Sequence, residues 1–155
     1  MFSTDRIATF FGVGYTIWFP GTAASMLTWS LSILLVSLLP HWLLYLATAL
    51  VIHVGWRASA AYALIHAKWN AKECVIDEVA AVLLIACFMP LFLPSWVTAL
   101  VVFRLVDIWK PAPLGEIEKL MEPGARIMLD DLAAAIPAIA AGWLVYFFNL
   151  IFIGL

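Results

Sequence analysis

Long apolar runs separated by short polar breaks dominate the chain, and the breaks carry its prolines. The first run extends from about Thr22 to Leu39, follows the turn pair Pro20-Gly21 and closes at Pro40, with Thr22 placed to cap its start. A second runs from Trp42 to about Ile65, holds His53 and Arg57 one helical turn apart, and gives way to a polar segment from His66 to Glu73. The third reaches from Val75 to Leu93, with Pro90 and Pro94 marking its exit. The fourth, Trp96 to Trp109, stops where Pro111 and Pro113 forbid further helix. A fifth begins at Asp130 and continues to about Ile153, and Pro137 inside it predicts a kink. Between the last two runs lies the longest polar connection. There Leu114, Ile117 and Leu120 recur at helical spacing and predict a short helix on the membrane surface.

Runs of about 20 apolar residues are what roughly 30 Å of hydrocarbon requires. Composition agrees: of 155 residues, 66% are hydrophobic and 12% charged, against about 25% charged in a soluble domain. The expected fold is all-α, a multihelical integral membrane bundle of about five transmembrane helices, forming one membrane-embedded domain over residues 1–155. From Met1 to Phe19 there is no small-residue cleavage site, so a removed signal peptide is not expected. A net charge of -2 offers no basic excess for nucleic acid. Cys74 and Cys87 fall in one predicted helix about 20 Å apart along its axis, too far to bridge.

Lys and Arg are absent from the turns at Pro40-His41 and Pro94-Ser95 but present in the other connections, at Lys68, Lys72, Lys110, Lys119 and Arg126, with Arg6 near the start. By the positive-inside rule these basic segments face the cytoplasm. Trp18, Trp42, Trp69, Trp96 and Trp109 fall near span ends, where indole rings favour the interface.

That topology orders the ten acidic residues, none of which falls on the outer side. Asp77 and Glu78 open the third run, Asp107 closes the fourth, and Asp130 and Asp131 open the fifth, so five carboxylates share the cytoplasmic end. Carboxylates held together repel one another and lose hydration, and a hard divalent cation compensates both. Mg²⁺ takes oxygen ligands, with waters and substrate phosphate completing its octahedron. Helix capping is the alternative for each acidic pair, but Asp107 at a helix C-terminus opposes the dipole. Arg104, Asp107 and Lys110 lie at i, i+3 and i+6, on one side of the fourth helix. They supply cations suited to phosphate oxygens, or else Arg104 merely pairs with Asp107 while Lys110 snorkels. Pro20-Gly21-Thr22 starts a helix whose free N–H groups attract anions. His53 and Arg57 suggest a polar packing contact, and His66 is a weaker candidate for proton transfer.

Three blocks among these segments resemble the phosphatidylglycerophosphatase A family. They are Phe11-Gly12-Val13-Gly14 leading to Pro20-Gly21-Thr22; Val75-Ile76-Asp77-Glu78; and Phe103-Arg104-Leu105-Val106-Asp107-Ile108-Trp109-Lys110-Pro111-Ala112-Pro113 followed by Ile127-Met128-Leu129-Asp130-Asp131. The resemblance implies a Mg²⁺-dependent lipid phosphatase of the bacterial inner membrane. Its substrate would be phosphatidylglycerophosphate, its products phosphatidylglycerol and inorganic phosphate, and its active site would face the cytoplasm. It also implies a multihelical fold and self-association. The sequence departs from the family pattern at Asn70-Ala71-Lys72 and at Pro123-Gly124-Ala125-Arg126, where glycines are lost and Arg126 adds a cation beside the expected phosphate.

On this reading Asp77, Glu78, Asp107, Asp130 and Asp131 bind one or two Mg²⁺, Arg104 and Lys110 steady the phosphate, and Pro20, Gly21, Thr22 and Arg126 help hold it. A metal-activated water attacks phosphorus in line, or an aspartate does so and forms a phospho-enzyme. No Cys is followed six positions later by Arg, since Ala80 and Leu93 occupy those places. A cation transporter and a non-catalytic scaffold are the alternatives that use the same acidic cluster.

Overall fold

Proline lacks an amide donor and fixes its own φ, so it is tolerated at the first helical position and little further in. Pro20 and Pro123 occupy such positions here, and Pro40 precedes a third helix. The computed structural model describes residues 2–67, 71–109, 123–152 and 154. In chain order the helices are α1 (Phe2–Ala8), α2 (Pro20–Leu38), α3 (His41–His66), α4 (Ile76–Phe88), α5 (Leu93–Trp109) and α6 (Pro123–Phe152), with a 3-10 turn at Val13–Tyr15. No strand occurs among the described residues. Lys68, Trp69, Lys110, Lys119 and the expected surface helix with Leu114, Ile117 and Leu120 lie outside them.

Four boundaries differ from the sequence expectation by two residues or more, one of them the start of α5 at Leu93 instead of Trp96. Helix α2 begins at Pro20, so Thr22 is not its cap; Phe19 precedes the helix at φ 48°, in left-handed backbone. Helix α4 ends at Phe88, ahead of Pro90, and does not reach Leu93. Helix α6 begins at Pro123, which places Asp130 and Asp131 about two turns inside it. The capping explanation for that acidic pair is thereby removed.

Among the described residues, three helices are long and apolar enough to cross a membrane: Pro20–Leu38, His41–His66 and Ala125–Phe152. With 13 residues, α4 spans only about 20 Å, short of the roughly 30 Å hydrocarbon layer. It is the hub of the bundle, packed against α2, α3 and α6, while α5 lies along α6. Burial on every side explains why α4 is apolar all round and rich in alanine: Ala80, Ala81 and Ala86 are almost wholly enclosed. Two apolar clusters meet on it. One, around Phe103, Trp96 and Ala135, packs its far half, and the other, around Tyr62, Val75 and Met128, packs its start.

Gly55 sets the level of α3 relative to α4. It is buried where a Cβ would stand 2.8 Å from Met128 Cε and 3.0 Å from Ile76 Cγ1, so it is level with the first residue of α4. The rest of α3, from Trp56 to His66, therefore projects roughly 16 Å beyond that level. His53 and Arg57 are both exposed on α3 and do not form the packing contact expected of them. Near the level of the α4 start, headgroups and water can solvate them. The N-terminal segment straps the projecting part: Val75 N–H donates to the Ala8 carbonyl at 2.9 Å, and His66 Nε2 lies 3.3 Å from Asp5 Oδ1.

Candidate active site

Because α4 is enclosed, its first turn buries Asp77 and leaves Glu78 only partly exposed. The neighbouring start of α2 comes so close that the Glu78 carboxylate fills the space a side chain at residue 21 would take, so any larger residue there would displace that carboxylate. From α5, Arg104 Nη1 donates to Asp107 Oδ2 at 2.7 Å and stands 3.9 Å from Glu78 Oε1. Its Nη2 donates to Thr22 Oγ1 at 3.2 Å. One guanidinium thus ties the start of α2, the start of α4 and the end of α5 together. Helix α6 supplies Asp130 and Asp131, 8% and 5% exposed.

Asp77, Glu78 and Asp131 each present a carboxylate oxygen to a common place, all within 4.8 Å of one another. Asp77 Oδ1, Glu78 Oε2 and Asp131 Oδ2 are buried without a hydrogen-bond partner, as is Arg104 Nε. Buried carboxylate oxygens left unpaired are costly. Three of them from two helices, with no sulfur or nitrogen donor in the group, form the donor set of a hard divalent cation. The residues present therefore fit Mg²⁺.

The five carboxylates expected to bind one or two Mg²⁺ divide into three roles in the structure. Asp77, Glu78 and Asp131 form the oxygen cluster. Asp107 is drawn to Arg104 as its anchor. Asp130 stands beside the cluster, buried in the wall of the same pocket. Pro20, Gly21, Thr22, Arg104 and Arg126 also line this pocket, whose volume is about 770 Å³. Lys110 lies outside the described residues. His66 does not line the pocket; it faces Asp5 and packs in a tilted arrangement against Tyr62, with ring centroids 4.2 Å apart.

Several wall residues are not singled out as site residues by the sequence: Ile17, Trp18, Lys72, Cys74 and Ile108. Of these, Lys72 is a cation six positions before Glu78, but nothing in the local sequence shows which way it turns. Cys74 is no nucleophile here, since burial pushes its thiol up to about 11, although its hydrogen bond to Ser59 Oγ at 3.3 Å opposes the shift. At neutral pH it remains a thiol.

Residues 6–146 match the family model for phosphatidylglycerophosphatase A. Among curated proteins, phosphatidylglycerophosphatase A of Haemophilus influenzae is 31% identical over 134 residues, covering 86% of this chain and 82% of that protein. Phosphatidylglycerophosphatase A of Escherichia coli is 30% identical over 145 residues, covering 91% and 80%. A putative phosphatidylinositol-3-phosphatase of Bacteroides thetaiotaomicron is 30% identical over 141 residues, covering 84% and 85%. No solved structure matches the chain.

Proposed function

The chain belongs to the phosphatidylglycerophosphatase A family, and we propose that it is a Mg²⁺-dependent phosphatase that converts phosphatidylglycerophosphate to phosphatidylglycerol at the cytoplasmic face of a bacterial inner membrane. The observation that carries this reading is the meeting of three distant sequence blocks in one pocket. Thr22, Glu78 and Asp107 all engage Arg104, beside the unpaired oxygens of Asp77, Glu78 and Asp131. The described carboxylates of this cluster sit at one end of the bundle, which favours a surface reaction over a cation pathway reaching the midplane.

Asp77, Glu78 and Asp131 would hold the cation. When bound, it supplies charge neutralisation at the phosphate oxygens and lowers the pKa of water. Arg104 steadies the phosphate with a guanidinium whose orientation is set on two sides, by Asp107 and by Thr22. The free N–H groups at the start of α2 add partial positive charge directed at the same space. In the net reaction the bond between phosphorus and the headgroup oxygen breaks. Water contributes its oxygen to phosphate and a proton to the departing alcohol.

Phosphate release from phosphatidylglycerophosphate by the purified protein in detergent tests the reading, with phosphatidylinositol 3-phosphate as a parallel substrate because of the Bacteroides relative's name. Turnover should stop with chelator and return with Mg²⁺. Asp131→Asn should lower it by about 100-fold or more, as for loss of a principal electrostatic stabiliser. Full activity in chelator removes the metal, and absence of release from the wild type removes the substrate assignment.

A further inference from the structure

The pocket is larger than the scissile phosphate alone demands. About 770 Å³ falls within the range of roughly 300–1,000 Å³ that encloses a whole small ligand, so the cavity has room for a complete polar headgroup. Its charges are also sorted by depth. The inner wall is made of buried carboxylates with Arg104 among them, whereas Lys72 and Arg126 line the same cavity and are exposed, which places them at its mouth. Lys72 precedes α4 and Arg126 lies in the first turn of α6, so the two cations come from separate parts of the chain. At the mouth stand Ile17 and Ile108, 92% and 71% exposed, with Trp18 beside them.

Phosphatidylglycerophosphate has a matching order of groups. A terminal phosphate monoester is followed by glycerol, then by a phosphate diester, then by the diacylglycerol in the membrane. With the monoester at the carboxylate and Arg104 end, the second phosphate comes to rest one glycerol unit outward, toward the mouth, and the acyl glycerol beyond it meets Ile17, Trp18 and Ile108. Resting on the phosphatase function, we propose that Lys72 and Arg126 form a second phosphate subsite that binds the diester of the substrate and selects lipids carrying a diester as well as a monoester. The sequence expectation puts Arg126 beside the scissile phosphate, but its exposure places it with Lys72 at the mouth, away from the reacting phosphorus, so both cations act on affinity and leave the chemical step alone. Charge-assisted hydrogen bonds of this kind give discrimination as well as attraction.

The test uses the full-length protein in mixed micelles with Mg²⁺. It measures kcat and KM for phosphatidylglycerophosphate and the competitive constant of phosphatidic acid, a lipid with a monoester and no diester. For Lys72→Gln with Arg126→Gln, KM for phosphatidylglycerophosphate should rise about tenfold while kcat stays within about twofold and the phosphatidic acid constant does not move. Lys72→Arg should retain the wild-type KM. The subsite is overturned if KM is unchanged, if kcat falls instead, or if both lipids weaken by the same factor, which describes a general attraction for anionic lipid. A wild type that releases no phosphate from phosphatidylglycerophosphate sinks the parent function, an outcome separate from these.

Discussion

Arg104 shows how much of the site depends on pairs remote in sequence. Its pairing with Asp107 is legible in the i, i+3 spacing, and the structure contains that bond. Its bond to Thr22, 82 positions away, is not, and Thr22 looks instead like a helix cap because it follows Pro20-Gly21. The hydroxyl acts as a positioning group, holding the guanidinium between α2 and α5. Removing it in Thr22→Val leaves Nη2 of a largely buried arginine without its acceptor, and kcat/KM for lipid phosphate hydrolysis should fall about tenfold. Thr22→Ser keeps the acceptor and should recover most of the activity, an outcome that side-chain volume alone would not produce. If valine and serine behave alike in steady-state kinetics, the bond has no role in catalysis.

Helix α4 explains why boundaries set by prolines are legible in the sequence and membrane spans less so. The expected starts and ends of α2 and α3 fall within about two residues of those observed, because Pro20 and Pro40 punctuate them. An apolar helix of 13 residues carries the same signature whether lipid or protein surrounds it, and the run beyond Phe88 extends the apparent span to Leu93. The start of α6 is misplaced for another reason: Asp130-Asp131 resembles an acidic first turn, although Pro123 already opens the helix. Enclosure of α4 makes it sensitive to added volume. Ala81 is fully buried against the cluster containing Phe103 and Ala135, so Ala81→Leu should cost about 1–3 kcal/mol and lower the melting temperature in detergent. Leu144→Ala, on the 70% exposed outer face of α6, should leave that temperature nearly unchanged. Equal shifts for the two variants would mean that α4 is not the buried hub.

Orientation follows from the distribution of Lys and Arg, whereas depth does not. The distribution of Lys and Arg favours the proposed cytoplasmic placement of the end of the bundle with Lys72 and Arg126, and the carboxylates lie at that same end. That the cluster is recessed is visible only from the packing of Gly55 against Ile76 and Met128, which sets roughly 16 Å of α3 beyond the site. The projecting end of α3 and the N-terminal strap then form a collar on the proposed cytoplasmic side, with Trp18 and Ile17 at the pocket mouth. A lipid substrate can enter such a site from the membrane with its acyl chains still in the bilayer. Cysteine labelling checks the orientation directly. Cys74 and Cys87 are both buried, and the Cys74 thiol is held protonated at neutral pH, so the background reaction with maleimides should be slow. In intact spheroplasts a membrane-impermeant maleimide should modify His41→Cys, in the exposed turn at the opposite end, and leave Lys72→Cys unmodified until the membrane is permeabilised. The reverse pattern would put the pocket on the outer face, and the cytoplasmic assignment of the reaction would fall with it.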